Sequence, residues 1–392
     1  MPPTPPLLLP DHLIEEVISF LHVKSLMRLK CVSKSWNTPI SDPTFVQLHL
    51  QRSQRNKNLL LTYGDYENFG FVSLPISRLL GNNTNRNTSI TLSSHQLKHK
   101  ECRQVIGSCN GLICLFHYTT SNSWFRVWNP ATGTISDRFG HFHKPRSKLT
   151  PRTLGYTFVY DISTNNYKIV AFGYRFIKVF CFNSNVWREI QSLPDKMIIV
   201  GNQNYKGVCL DGTLIWFAFL NEIPYNDWRD TFSVVRYFII SLDLATETRR
   251  EFSPPPVFDD ASDVIDPSIA VLMNSLCFFY NFKRTHFVVW QMTEFGVDRS
   301  WTQLFKISYE SLQVEHFFCD FYGMLSLYPL YLSENGATLI LESSREDQAI
   351  IYNSIDNRVE RTRITNKIDW RFSEGYFESL VPINSLKEIA SG

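Results

Sequence analysis

The chain has 392 residues, of which 44% are hydrophobic and 14% aromatic, and its formal net charge is +2. A charge so close to zero gives no bulk attraction for nucleic acid, so we expect no nucleic-acid partner. The apolar runs are shorter than the roughly 20 residues of a membrane span, and the N-terminus lacks the basic region of a signal peptide. We therefore expect no membrane insertion.

The cysteines point to a reducing compartment. The chain has eight of them, none forms a Cys-x-x-Cys pair, and Cys114 lies inside the apolar run of residues 112–116. Buried free thiols explain this distribution better than disulfides do. The expected location is the cytoplasm, the nucleus or both.

The first 51 residues carry the apolar pattern of short helices. Apolar residues recur at i, i+3, i+4 and i+7 over residues 14–21, which predicts a helix with one apolar face. The spacing resumes over residues 26–32, which predicts a second helix. An Asp-Pro pair then predicts the start of a third helix, over about residues 44–51.

Three helices of this length rarely bury enough surface to fold alone. The segment also holds more large apolar residues than three short helices can cover. Such an excess indicates that a partner covers part of the surface. The alternative is that the helices simply pack on the rest of the chain.

Residues 9–36 contain Leu9-Pro10-Asp11, Val23-Lys24-Ser25-Leu26 and Lys30-Cys31-Val32-Ser33-Lys34-Ser35-Trp36. This run resembles an F-box of the plant type, the motif that binds the Skp1-like adaptor of a cullin–RING ubiquitin ligase. His22 stands where the family usually has proline, so one fixed φ is lost. The resemblance implies that the adaptor is bound by Leu9, Pro10, Ile14, Val17, Leu21, Val23, Leu26, Leu29, Val32 and Trp36.

The rest of the chain reads as β-structure. Two leading strands, over residues 58–63 and 69–74, precede a polar stretch. From residue 107 a unit recurs in which a turn dipeptide opens an apolar strand, with starts near residues 110, 155, 211, 274 and 335. These spacings are typical of four-stranded propeller blades, which bury their apolar faces by radial stacking. A β-sandwich built from similar hairpins is the competing architecture.

Three short motifs in this region, at residues 107–112, 128–132 and 240–247, resemble the F-box-associated, kelch-like domain of plant F-box proteins. The fold class is then α+β and multidomain: a small three-helix F-box followed by an all-β, propeller-type domain. The expected domains are an F-box over residues 1–55, leading strands and a polar loop over residues 56–106, and the kelch-like domain over residues 107–388.

A propeller must join its two ends or leave unpaired strand edges. The final apolar segment, residues 375–383, alternates in part and predicts one more strand. We expect it to enter the same blade as the leading strands and to close the ring. The alternative is a hairpin with residues 358–364.

No catalytic, metal or cofactor site is predicted. His141 and His143 alternate on one strand, but no further ligand follows at a suitable spacing. The recurring tryptophans predict packing between blades, with a binding rim as the alternative. For target binding, the insertion at residues 221–231 offers Tyr225 and Trp228, since loops carry recognition and hot spots favour these residue types.

The two resemblances together imply a non-catalytic substrate-recognition subunit of an SCF-type (Skp1–cullin–F-box) ubiquitin ligase. Its expected partners are the Skp1-like adaptor, the cullin and RING subunits reached through that adaptor, and a target protein held by the β domain. The alternatives are a non-degradative F-box scaffold and a propeller that binds a small molecule or carbohydrate.

Overall fold

The structure is a computed structural model of the chain. It describes residues 10–63, 70–80, 93–96, 104–119, 122–143, 155–173, 176–182, 184–192, 197–199, 207–221, 234–256, 263–314, 326–344, 348–362 and 368–383. No helix within these ranges is long and apolar enough to cross a membrane.

The N-terminal segment forms four short helices, one more than the sequence predicted: α1 (Asp11–Ile18), α2 (Val23–Lys30), α3 (Lys34–Ser41) and α4 (Pro43–Ser53). The unpredicted helix is α3, which has a proline inside it and buries only Ile40, so it lacks an apolar period. Its start is fixed by Ser33, whose Oγ accepts a hydrogen bond from the backbone N–H of Trp36. The Asp42 carboxylate caps α4 by accepting from the Thr44 N–H at 2.8 Å.

The β region forms six antiparallel sheets arranged as the blades of a propeller, so the propeller prediction is confirmed over the sandwich. Blade 1 holds β1 (Asn58–Tyr63), β2 (Gly70–Pro75), β3 (Ser93–Gln96) and β26 (Ile368–Tyr376), with α5 (Ile76–Leu80) after β2. Blade 2 holds β4 (Gln104–Cys109), β5 (Leu112–Tyr118), β6 (Asn122–Asn129), β7 (Thr134–Ile135) and β8 (Phe139–His143). Blade 3 holds β9 (Gly155–Asp161), β10 (Asn166–Gly173), β11 (Phe176–Cys181) and β12 (Val186–Ser192).

The remaining three blades follow in chain order. Blade 4 holds β13 (Met197–Ile199), β14 (Val208–Leu210), β15 (Thr213–Asn221), β16 (Val234–Asp243) and β17 (Arg249–Phe252). Blade 5 holds β18 (Val264–Leu272), β19 (Ser275–Phe282), β20 (His286–Met292) and β21 (Trp301–Ser308), with a 3-10 helix (Asp298–Ser300) before β21. Blade 6 holds β22 (Leu327–Leu332), β23 (Thr338–Ser343), β24 (Ile350–Asn353) and β25 (Arg358–Arg361).

The innermost strand of each blade faces the axis of the ring. Strand β4 contacts β9, β18 contacts both β14 and β22, and β26 contacts both β22 and β4. These six strands therefore surround a central channel. The predicted domain boundary at residue 107 falls within β4, and the leading strands are part of blade 1.

The ring is closed by pairing between the two ends of the β region. Strand β26 pairs antiparallel with β1, from Asn58 opposite Tyr376 to Tyr63 opposite Ile368. The predicted closure is confirmed, but the strand lies at residues 368–376, seven residues earlier than the segment predicted for it. The alternative hairpin is wrong, because β25 pairs with β24 instead.

A separate hydrophobic cluster fills each of the six blade interfaces in the described residues. Tryptophans take part as predicted: Trp128 packs on Phe71 of blade 1 at 5.1 Å between ring centroids. Trp216 packs on Phe172 of blade 3 at 5.2 Å. The Trp301 Nε1 donates a hydrogen bond to Ser253 O of blade 4 at 3.0 Å. These tryptophans thus contribute to packing between neighbouring blades.

One buried ion pair connects blade 3 to blade 4. Lys168 Nζ lies 2.6 Å from Asp161 Oδ2 and donates to the carbonyl of Leu244 at 3.0 Å, and both side chains are almost fully buried. Burial alone would raise the pKa of Asp161, but hydrogen bonds from Lys168, Ser163 and Thr164 outweigh it and lower the pKa to about 2. The carboxylate therefore stabilises the fold above its unfolded pKa of about 3.9, and this contribution is lost as the pH falls towards 2.

We expect the substitution Lys168→Met to destabilise the protein by about 3–5 kcal/mol, because it leaves the Asp161 carboxylate buried without its cation. The matched control is Lys178→Met. Lys178 Nζ lies 3.6 Å from the carboxylate of Glu189, whose side chain is half exposed. Loss of this exposed ion pair should destabilise the protein by less than about 1 kcal/mol. Urea unfolding of both variants at pH 7 measures the difference. Equal costs would contradict the structural role given to this pair.

Candidate partner-binding surfaces

Helix α1 has two apolar faces. Ile18 is buried and Ile14 half-buried on the inner face, whereas Val17 is 65% exposed. Of the ten exposed large apolar side chains in the described ranges, five lie between residues 13 and 32. We call these five the outer apolar set: Leu13, Val17, Phe20, Leu21 and Val32. Such a concentration on one short segment is typical of surfaces that bind a partner.

The residues predicted to bind an adaptor fall into three groups. Pro10, Val17, Leu21 and Val32 are exposed, and Ile14, Leu29 and Trp36 are half-buried. Val23 and Leu26 have no exposed surface, so we assign them to the internal core and correct the prediction for these two. Leu9 lies outside the described residues.

Leu13 and Phe20 are not among the residues that the sequence predicted to bind an adaptor. Together with Val17 they are spaced i, i+4 and i+7, which is itself an apolar stripe on α1. The stripe was hidden because Ile14, Ile18 and Leu21 follow the same spacing one residue later. The inner face of α1 packs on the rest of the chain, and the second apolar face is exposed.

Arg52 of α4 holds the end of α1 in place. Its Nη1 donates to the Glu16 carbonyl at 2.6 Å and to Ser19 Oγ, and its Nη2 pairs with the Glu16 carboxylate. The guanidinium carbon also lies 4.0 Å from the centre of the Phe20 ring, a cation–π contact. Phe20 is thereby held outward, 66% exposed.

The inner face of the helices shares one hydrophobic core with blades 2 and 3. This core includes Val23, Leu26, Ile40, Phe45 and Leu50 from the helices and Leu380, Val381 and Ile383 from the end of the chain. The alternative, that the helices pack on the rest of the chain, therefore holds for the inner face only. The outer apolar set stays uncovered.

His49 is buried at this junction, with Nε2 3.0 Å from the Leu21 carbonyl. Burial lowers the pKa of His49, although the bond to Leu21 and the nearby Glu378 carboxylate act in the other direction. The imidazole is thus neutral at pH 7. The stability that this buried neutral ring contributes is fully present above the unfolded pKa of about 6.5 and is lost as the pH falls below it.

Residues 377–383, which follow β26, run between the helices and blade 2 and form what we call the C-terminal clasp. Asn129 Nδ2 donates to the carbonyls of Ser379 and Val381, both at 3.0 Å. Ser379 Oγ donates to the Asn110 carbonyl at 2.7 Å. A Cβ on Gly111 would lie 2.6 Å from the Ser379 side chain, so the clasp passes directly over the turn between β4 and β5.

Asn129 differs from its counterparts in other blades. Its Oδ1 accepts from the Ala131 N–H at 3.0 Å, as a turn after the third strand requires. In blade 4 the same place is held by Asp243, which accepts from Ala245 N at 2.9 Å, and in blade 6 by Asn353. The turn therefore needs only an acceptor oxygen, and the amide group of Asn129 serves the clasp.

The two ends of the propeller are distinct. The turns at residues 110–111 and 129–133 lie on the end that meets the clasp and the helices. The described ends of β8, β15 and β21, at residues 143, 221 and 308, lie at the opposite end. Tyr225 and Trp228 come after β15 in the sequence and lie outside the described residues.

The described residues include no group of three or more side chains suited to hold a metal ion. Burial raises the pKa of the Cys109 and Cys277 thiols to about 12, so both are protonated at neutral pH and unsuited to nucleophilic attack.

Comparison with known proteins agrees with this layout. Residues 6–46 match the sequence model of the F-box domain, and residues 68–383 match that of the F-box associated beta propeller domain. The chain belongs to the F-box associated beta propeller family.

Two relatives in Arabidopsis thaliana show how far the likeness extends. The F-box/kelch-repeat protein At3g23880 is 28% identical over 307 residues, which cover 76% of this chain and 79% of the relative. The F-box protein CPR1 is 27% identical over 327 residues, which cover 76% of this chain and 73% of the relative. The F-box match contains α1 to α3 and the first residues of α4, and the propeller match contains the described blade strands except β1.

We expect Asn129→Asp to release the C-terminal clasp, because a carboxylate oxygen would then face the carbonyls of Ser379 and Val381 without a donor. The matched control is Asn353→Asp, at the equivalent turn in blade 6. Hydrogen exchange over residues 377–383 should rise at least tenfold in the first variant and stay unchanged in the second. Equal exchange in both would show that the clasp is held by apolar packing alone.

Proposed function

We propose that this protein is the substrate-recognition subunit of an SCF-type ubiquitin ligase. F-box domains in general bind Skp1 adaptors in SCF complexes. The observation that carries the proposal is the outer apolar set, which stays exposed on F-box helices whose inner face is already packed. A Skp1-like adaptor covers this set and links the protein to cullin and RING subunits.

The opposite end of the propeller binds the target protein. The chain leaves β8, β15 and β21 at this end, and loops on a rigid scaffold are the usual carriers of recognition. Tyr225 and Trp228 remain the proposed contact residues there, from their sequence position alone. With the adaptor at one end and the target at the other, the two partners do not compete for surface.

No side chain of this protein performs the transfer chemistry in this proposal. Its contribution is to hold a target lysine near the ubiquitin-loaded enzyme, which raises the effective concentration of one for the other. Such proximity is productive only if the connection between F-box and propeller is stiff. The shared core and the C-terminal clasp supply that stiffness.

We further propose that the protein works in the cytoplasm or nucleus. The described cysteines Cys31, Cys109, Cys114, Cys181, Cys209 and Cys277 are all free thiols. Free thiols, several of them buried, suit a reducing compartment.

We expect Val17→Asp to weaken binding of a Skp1-like adaptor at least about 100-fold. A carboxylate pressed against an apolar partner costs more than the roughly 2.8 kcal/mol that this factor represents. The matched control is Val186→Asp, since Val186 is similarly exposed, at 57%, but lies on an outer strand of blade 3. Binding is measured by calorimetry with the full chain.

Both variants should keep the wild-type melting temperature, because both side chains face solvent. If Val17→Asp binds the adaptor as the wild type does, the outer apolar set is not the docking surface. If both variants lose binding equally, the loss reflects added charge and not the site.

A further inference from the structure

A cleft of about 1240 Å³ lies between the F-box helices and blades 1 and 6. One wall is formed by the connection between α1 and α2, the start of α2 and the end of α4. The other wall is formed by α5 and the end of β2 in blade 1 and by Tyr331 and Glu334 of blade 6. This volume exceeds the range typical of small-molecule sites, so the cleft fits a segment of a partner protein better.

The cleft is continuous with the outer apolar set. Phe20 and Leu21 belong to that set, and both also line the cleft. Val17, three residues before Phe20, is exposed on the last turn of α1. A partner that covers the outer apolar set therefore already lies at the edge of the cleft.

Positive side chains outnumber negative ones in the lining of the cleft. Among the described residues, the carboxylates of Glu334 and Glu378 line it. The lining cations are Lys24, Arg52, Arg55, Lys57 and Arg78. Because a cleft lined mainly by one sign of charge concentrates the electrostatic field, this cleft attracts negatively charged groups.

Three of these cations are not neutralised within the protein. The side chains of Lys24, Arg55 and Lys57 are exposed, and none of them forms an ion pair within the described part of the chain. The same excess continues along the F-box, where no Asp or Glu occurs between Glu16 and Asp42. That stretch contains the cations Lys24, Arg28, Lys30 and Lys34. A partner with an acidic surface is thus attracted to both the outer apolar set and the cleft.

We propose that the adaptor that covers the outer apolar set also places an acidic segment in this cleft, and so contacts the propeller as well as the F-box. This inference rests on the proposed function, because it gives the same adaptor a second contact. Carboxylates of the segment pair with Lys24, Arg55 and Lys57. Since the segment touches both walls, it fixes the orientation of the propeller relative to the adaptor.

A variant of the full chain that combines Lys24→Gln, Arg55→Gln and Lys57→Gln tests these contacts. Its affinity for a Skp1-like adaptor, measured by calorimetry in about 0.1 M salt, should fall at least tenfold relative to the wild type. In about 1 M salt the difference should narrow, because salt screens charge pairs near the surface. The melting temperature should not change, since all three side chains are exposed.

The matched control combines Arg250→Gln, Arg284→Gln and Arg299→Gln. These substitutions remove the same charge from exposed positions on blades 4 and 5. The control should bind the adaptor as the wild type does at both salt concentrations. An equal loss of affinity in the control would reduce the effect to net charge and overturn the proposal.

Hydrogen exchange then locates the contact on the propeller. Adaptor binding should slow exchange at residues 76–80 of blade 1 and 331–334 of blade 6, which line the cleft. It should leave residues 353–357 unchanged, a turn of blade 6 that does not line the cleft. Unchanged exchange at both cleft segments would confine the adaptor to the F-box and overturn the proposal.

The results separate this inference from the proposed function. If the wild type binds no Skp1-like adaptor, both fail. If Val17→Asp loses binding while the triple cleft variant binds as the wild type does, the adaptor docks on the F-box and only this inference fails. Inorganic tripolyphosphate tests a different occupant. If it binds the wild type but not the triple cleft variant, and adaptor affinity is the same in both, the cleft belongs to a free anion and this inference is wrong.

Discussion

Ring closure is the constraint on which this molecule depends. Six small sheets bury their faces only against neighbours, and the two clusters on either side of blade 1 depend on the first and last parts of the β region meeting. The pairing of β26 with β1 brings the two chain ends together and leaves the β1 edge covered. Without it the central channel lacks one of its six walls.

The same C-terminal segment has a second task. Tyr376 ends the closing strand, and the next residues form the clasp on which the F-box helices pack. Closure and the seating of the helices are therefore consecutive parts of one stretch of chain. Glycine is therefore required at position 111 for two reasons. Its φ of 74° favours glycine, and the clasp leaves no space for a Cβ. Gly212, at the same turn in blade 4, has open space around it.

Much of this architecture could be predicted from the sequence, since local patterns specify local structure. The Asn110-Gly111 and Asp211-Gly212 dipeptides predict hairpin turns, because both residues of each turn have positive φ, which these residue types tolerate. The F-box run was readable for the same reason. What could not be predicted was non-local: Val23 lies in a core that also contains residues of the clasp, more than 350 residues away in the sequence.

Strand β26 follows all the other described strands in the sequence, so the ring can close only after all of them have been synthesised. At about 5–20 residues per second, the roughly 300 residues between β1 and β26 take roughly 15–60 s to translate. Throughout that interval the nascent chain carries an open β1 edge and F-box helices whose inner face lacks the clasp. Both are surfaces that chaperones engage and that template aggregation. A ribosome that stalls before residue 368 thus yields a chain with no finished ring and unseated helices, so only fully translated molecules present the F-box in its final orientation.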